Sequence, residues 1–229
     1  MKSVVFVGML LSASTAFADV SSSDAKRLSE ASTVVRELRA APDKGIPEDL
    51  WNKAECVAVI PGLKKAAFMI GGEFGKGVVS CRSAQNWSAP VFIELQKGSA
   101  GFQIGVEQVD LVLLIMNRRG VEKLLENKIN LGADASVAAG PVGRSASAST
   151  DGKLTAEILA YSRAKGAFAG INLSGGVIRP DKDANGGAYG ATAPRDVLFD
   201  NAKPAPTAAE AFIRTLKEET AVTTGRKPQ

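Results

Sequence analysis

Polar and apolar residues alternate with two different periods along this chain, and the change of period divides it. From Asp24 to Arg39, Leu28, Ala31, Val35 and Leu38 recur at helical spacing with Val34 beside them, so the pattern predicts an amphipathic helix with Ser and Asp residues available as caps. Pro47 suits the first turn of a second, short helix. From Cys56 onward the apolar runs shorten and glycines separate them. The predicted strands are 57–60, 66–70, 77–81, 91–95, 101–108, 111–116, 136–139, 154–162, 167–173 and 176–179. Among them, 118–127 reads as a helix capped by Asn117, with Val121, Leu124 and Leu125 turned inward. A last helix follows Thr207 and buries Ala211, Phe212 and Leu216. Many short strands between terminal helices predict an α+β fold, built on an antiparallel β-sandwich or a partly closed barrel.

The first residues have a separate character. Lys2 is a basic n-region, Val4 to Leu11 an apolar h-region, and Ala16-Phe17-Ala18 fits a cleavage site. Residues 1–18 are therefore expected to be a signal peptide, and the mature chain to begin at Asp19 and be exported to a bacterial periplasm or secreted. The remaining divisions are an N-terminal amphipathic helix over 19–45, a main domain over 46–202, and a C-terminal helix and tail over 203–229, set off by Lys203-Pro-Ala-Pro206.

Charge is balanced. Loss of Lys2 with the signal leaves 27 of the 28 Lys and Arg residues against 24 carboxylates, too small an excess to select a polyanion, and no nucleic-acid recognition motif is present. Local cationic clusters still matter, because each Lys or Arg near an anionic membrane contributes about 1 kcal/mol. Lys64, Lys65, Lys76, Arg82, Arg144, Arg163 and Lys165 fall at predicted strand ends or in adjoining turns, where a domain could gather several on one rim. Cys56 and Cys81 are the only cysteines; in an oxidising compartment such a pair reads as one disulfide, with two separate buried thiols as the alternative. Histidine is absent. That removes Ser-His-Asp and Cys-His nucleophiles, His-based zinc sites and the commonest general base near neutral pH, so no enzyme is expected.

Three short motifs fail on their own terms. Gly71-Gly-Glu-Phe-Gly-Lys-Gly77 lacks the spacing and the following Ser or Thr of a phosphate loop, and reads instead as a tight hairpin presenting Lys76. Ser162-Arg-Ala-Lys165 matches S-x-x-K without the accompanying S-D-N and K-T-G elements. Asp181, Asp183, Asn185 and Gly186 reproduce the first half of a calcium loop, but Thr192 stands where the bidentate Glu is required. An Asx-rich turn is the other reading, and calcium binding stays open on the sequence. No cofactor or other metal is implied.

Two small-residue blocks carry the strongest signal: Gly132-Ala-Asp-Ala-Ser-Val-Ala-Ala-Gly-Pro-Val-Gly-Arg144, and Tyr161-Ser-Arg-Ala-Lys-Gly166 followed by Phe168-Ala-Gly170. With Gly71 to Gly77, Trp87-Ser-Ala-Pro90 and Tyr189-Gly190, in this order, they resemble the SYLF domain, a lipid-binding family, from about Leu50 to Gly190. The resemblance implies binding of phosphoinositides or other anionic lipids, with an amphipathic N-terminal helix and, in some members, actin association. The expected function is therefore a non-enzymatic domain recognising anionic phospholipid headgroups through Lys76, Arg82, Arg144, Arg163 and Lys165. The competing expectation is a structural or protein-interaction module of the cell envelope, with an envelope protein as partner.

Overall fold

The structure, a computed structural model, describes residues 20–39, 45–68, 70–83, 87–100, 105–125, 128–142, 156–164, 167–200 and 203–225. The expected signal peptide, Arg144 and Lys165 lie outside these residues.

The periodicity at the N-terminus folds as predicted. Helix α1 (Ser22–Arg39) buries Leu28, Ala31, Val34, Val35 and Leu38, and packs on the last helix, α6 (Glu210–Gly225), and over the first two strands. Its apolar stripe is used inside the domain. A short α2 (Glu48–Lys53) follows Pro47 and buries Leu50 and Trp51.

The expected short strands are fused into long ones. Strands β1 (Cys56–Phe68), β2 (Ile70–Cys81), β3 (Val91–Ala100) and β4 (Gly105–Ile115) form the centre of the sheet. Where a break is predicted after Ile60, the chain makes a β-bulge instead: the register of β1 shifts between Val59 and Lys64 against β2, and between Ile60 and Leu63 against β4. Pro61 has no amide to donate and Gly62 takes φ +58, so the ladder yields locally without ending the strand. The Gly62 amide donates to Asp110 Oδ1 at 2.9 Å.

The glycines of 71–77 are likewise strand, not turn; the β1–β2 reversal comes earlier, between Phe68 and Ile70. Gly75 and Gly77 are required by close approach. A Cβ on Gly75 would come within 2.5 Å of Ile60 Cγ2, and one on Gly77 would overlap the Val59 carbonyl. Their absent side chains let the bulged β1 lean onto β2.

Past α3 (Arg118–Leu125), whose Gly120 amide donates to Asn117 as the cap predicts, come β5 (Ile129–Asn130), β6 (Val137–Ala139), β7 (Ile158–Ala164), β8 (Ala167–Gly170) and β9 (Gly176–Pro180). The order is β5-β9-β3-β2-β1-β4-β7-β6, with β8 also on β7; every pairing is antiparallel except β6 with β7. A flat sheet in this order would place β5 and β6 seven spacings, roughly 34 Å, apart. The chain from Asn130 to Val137 reaches about 25 Å at full extension, and it is folded back by Asp134 N to Asn130 O and Gly132 N to Ala135 O, both 2.8 Å. The sheet is therefore curled into a partly closed barrel.

Burial agrees. Val57–Ile60, Leu111–Ile115 and Ile158–Tyr161 are inaccessible without alternation, as strands covered on both faces must be. Two helices were not foreseen: α4 (Lys182–Tyr189), in the segment read as an Asx-rich turn, and α5 (Pro194–Phe199). One 3-10 turn (Thr207–Ala209) leads into α6, which buries Phe212 and Leu216; Ala211, expected inside, is exposed, and Ala209 and Thr215 take the inward positions. No described helix is long and apolar enough to cross a membrane.

Candidate functional site

A cleft of about 730 Å³ opens between the start of α1, the β1 bulge, the middle of β2 and the start of α4. Each wall has a local cause. Ser21 accepts from Asp24 N at 3.2 Å at the head of α1, and Asp181 accepts from Ala184 N at 3.3 Å at the head of α4. The bulge at Pro61 and Gly62 forms the third side, and Phe74 to Lys76 of β2 the fourth.

The floor is a chain of opposite charges. Arg27 contacts Asp24 at 2.7 Å and Asp181 at 3.0 Å; Lys76 contacts Asp181 at 2.9 Å and Glu94 at 3.2 Å; Arg179 contacts Glu94 at 3.0 Å. The Arg27 guanidinium also lies 5.3 Å from the centroid of the Phe92 ring. Register explains the last links, since Lys76, Glu94 and Arg179 are directly paired across β2, β3 and β9. Burial pushes the Asp181 carboxyl up, but hydrogen bonds from Lys76, the Ala184 amide and Arg27 outweigh it and hold the group below its usual value. The Lys76 ammonium is raised, first by its bond to Asp181 and against partial burial.

Lys76 is thus not a bare hairpin lysine, although its side chain is still 42% exposed. Near it, Lys64 is paired with Phe74 across β1 and β2. Phe74 is 43% exposed at the mouth of the cleft; with Val142 it makes up the exposed large apolar side chains among the described residues.

The other expected cations are dispersed. Arg163 lines a smaller hollow of about 210 Å³ on the far side of Pro61 and Gly62, where it binds Asp110 at 2.6 Å and also Glu37 of α1. Arg82 lies six residues beyond Lys76, about 20 Å along the strand. It donates to the carbonyls of Ala54 and Trp51, both at 2.9 Å, and stacks 4.6 Å from the Trp87 ring centroid. Desolvation lowers its pKa. Arg82 therefore ties α2 to the end of β2, beside the Cys56–Cys81 disulfide, which joins directly paired residues of β1 and β2. Trp87 is buried.

The calcium-like residues have other work. Asp181 is the cap and charge partner just described. Asn185 Nδ2 donates to Phe92 O at 2.7 Å and to Asp181 O at 2.8 Å, while its Oδ1 accepts from Phe92 N at 2.9 Å. Its amide group thereby pairs with β3 as a strand backbone would, and Tyr189 Oη donates to Pro90 O at 2.5 Å. Among the described residues no three His, Cys, Asp or Glu side chains gather as a metal site. Ser162 lies within β7.

The two small-residue blocks build the seam of the barrel. Asp134 accepts from Asn130 N at 2.7 Å and Nδ2 at 2.5 Å, bonds that depress its pKa. Ser136 and Glu157 exchange bonds of 3.1 and 2.9 Å, and Lys123 donates to the Asp134 carbonyl. Beyond the seam, Gly140 lies so close to the ring of buried Tyr161 that a Cβ there would overlap it, and a Cβ on Gly170 would overlap the Gly140 carbonyl. The Tyr161 hydroxyl has no hydrogen-bond partner, and burial raises its pKa.

The same stretch carries the family likeness. The family profile described as "Ysc84: Las17-binding protein actin regulator" matches residues 96–219, just over half of the chain. Protein YSC84 of Saccharomyces cerevisiae is 36% identical over 181 residues, covering 76% of this chain and 38% of the yeast protein. LAS seventeen-binding protein 3 of the same yeast is 34% identical over 179 residues, covering 76% and 39%. SH3 domain-containing YSC84-like protein 1 of Homo sapiens is 32% identical over 202 residues, covering 85% and 58%. The chain spans about two fifths to three fifths of the length of these relatives. On this sequence evidence, extending through both small-residue blocks, the chain belongs to the Ysc84/SYLF domain family.

Proposed function

We propose that this domain is an exported, non-enzymatic module that binds phospholipid surfaces carrying anionic headgroups, phosphoinositide-like in presenting phosphate. The observation that supports it best is the mouth of the cleft. Phe74, a half-exposed aromatic, stands beside Lys64 on the neighbouring strand, and Lys76 follows two positions on, on the same face of β2. An apolar ring flanked by lysines suits an interface where the ring meets acyl chains and the ammonium groups meet phosphates. The mature chain's excess of positive charge is small, so the attraction is local and salt-sensitive. Of the five cations expected to contact lipid, Lys76 belongs to this mouth and Arg163 to the adjoining hollow.

A second reading, a protein-interaction module, draws on a yeast relative named for binding LAS seventeen. Flotation of residues 19–229 with anionic and with zwitterionic liposomes, at low and moderate salt, separates the two. The lipid reading expects recovery with anionic vesicles that salt weakens and that Phe74→Ala and Lys64→Gln each reduce. Equal recovery with both vesicle types, or none with either, would leave the protein-interaction reading standing.

A further inference from the structure

The cleft behind Phe74 has a charge pattern that a simple anion site lacks. In its floor Asp24, Arg27, Asp181 and Lys76 alternate in sign and already satisfy one another, so that group sums to zero. The remaining charged lining residues are Lys64 on β1, Glu30 on α1 and Asp183 on α4, all exposed. Glu30 is already paired with Lys26, one turn back on α1, at 3.6 Å. The rim therefore offers a ligand one positive side chain, Lys64, and one negative, Asp183. A bare phosphate entering here meets Lys64 and the exposed part of Lys76, but also the Asp183 carboxylate. A ligand carrying a phosphate and a primary ammonium satisfies both: the phosphate against the lysines, the ammonium donating to Asp183.

From this arrangement we infer that the cleft is a headgroup pocket for a phosphoethanolamine lipid in a bilayer. The inference rests on the membrane-binding reading above and adds the headgroup that the pocket selects. About 730 Å³ is ample for such a headgroup and lies within the usual range for small-molecule sites. Phe74 at the mouth is placed to meet the glycerol and acyl region of the same lipid. The three N–H donors of a primary ammonium are what distinguish this ligand from a choline headgroup, which has the same charges and no donor to offer a carboxylate.

The test compares vesicles of phosphatidylethanolamine with phosphatidylglycerol against vesicles of phosphatidylcholine with phosphatidylglycerol, at equal anionic content, using residues 19–229. The expected result is about fivefold tighter binding to the ethanolamine vesicles, the yield of one ordinary net hydrogen bond at an exposed rim. The variant Asp183→Asn should lose that preference while still binding the choline vesicles. Asp183 is exposed and outside the paired floor, so the variant should keep close to the wild-type melting temperature. Because ethanolamine lipids also alter bilayer packing, soluble glycerophosphoethanolamine is titrated in parallel, with amide NMR shifts expected around Lys64 and Asp183 and none from glycerophosphocholine. Equal affinity for the two vesicle types with no shifts from the soluble headgroup would overturn the inference. So would an ethanolamine preference that survives in Asp183→Asn. Failure to bind any phosphatidylglycerol vesicle would instead strike the membrane reading, and the soluble titration would then decide the pocket by itself.

Discussion

Replacing Asp181 by Asn tests the charged floor with little change of shape. Asn is as good an N-cap as Asp, so the bond from Ala184 N can persist and the substitution isolates the loss of charge. Two ion pairs go with it. The contact to Lys76 at 2.9 Å joins a lysine whose side chain is 42% exposed, and it is discounted to at most about 1 kcal/mol because solvent screens it and Glu94 remains as a partner. The contact to Arg27 at 3.0 Å joins side chains only 9% and 3% exposed, where a hydrogen bond to a charged group contributes about 1.5–3 kcal/mol. Asp24, at 2.7 Å, keeps Arg27 from being left without a counter-charge, so the larger penalty for an orphaned buried ion does not apply. Asp181→Asn should therefore cost about 2–4 kcal/mol at pH 7, and Asp181→Ala about 1 kcal/mol more through the lost cap. Urea unfolding with the disulfide kept oxidised measures both. The pH dependence is a second readout. A carboxyl held below the usual value of 3.8 contributes stability that is fully present above that pH and is lost as pH falls through the lower folded-state value. The gap between wild type and Asp181→Asn should thus be flat from neutral pH to about 5 and narrow in the acid range below 3.8. A variant within 0.5 kcal/mol of wild type at pH 7 (a threshold of about the ordinary surface-substitution scatter), or a gap that widens on acidification, would refute the charged-floor argument.

Other substitutions address other parts of the fold. Tyr161→Phe removes a buried hydroxyl that has no partner, so it should leave stability unchanged or raise it by about 1 kcal/mol in a thermal melt. Gly140→Ala, by contrast, drives a methyl into the Tyr161 ring and should cost about 1–3 kcal/mol or more, with a lowered melting temperature. Asn185→Ala strips the Phe92 amide of its partner and leaves the Phe92 carbonyl with the Asp181 amide alone; urea unfolding should show a loss of about 1–3 kcal/mol. Replacing Cys56 and Cys81 with Ser opens a loop closed across 25 residues and should cost about 3.5 kcal/mol on the chain-entropy account, matched by adding reductant to the wild type.

How much was legible beforehand depended on whether a feature lies in the order of residues or in their meeting. Helix α1 was readable because its stripe and its burial follow one period. The length of β1 was not: Pro61-Gly62 is a break signal in sequence, and only pairing on both sides, to β2 and β4, converts it to a bulge. In Lys182–Tyr189 two glycines and an Asn hide a helix that propensity disfavours, and Asn185 holds it by bonding to a strand 93 residues away. For the site, Lys76 was found from its setting among glycines, but its partner Asp181 was set aside as part of a half-formed calcium loop. Arg27 lies beside the apolar stripe of α1, and nothing local ties it to Asp181, 154 residues on. Phe74 sits in the same glycine run, and nothing in that run marks it as exposed at a cleft mouth.

The division of labour within the signature residues follows from where they lie. Asp134 and Ser136 hold the strap that curls the sheet, while Gly140 makes room for Tyr161, and Gly170 for the Gly140 backbone, at its edge. These are demands of closure, and any chain that closes this barrel in this way must meet them whatever it binds. The cleft is built from other material: Arg27 and Glu30 from α1, Lys64 from the bulged strand, Phe74 and Lys76 from β2, Asp181 and Asp183 from the head of α4. Arg27, Glu30, Lys64, Phe74 and Lys76 all precede residue 96, where the family profile begins, although a match to protein YSC84 that covers 76% of the chain must take in Lys64, Phe74 and Lys76. The small-residue blocks therefore specify the barrel, and the chemistry of the cleft rests on residues outside those blocks. For that reason the ligand of this domain has to be argued from the alternating charges around Asp181 and from Phe74, while the small-residue blocks explain why those groups meet in a partly closed barrel.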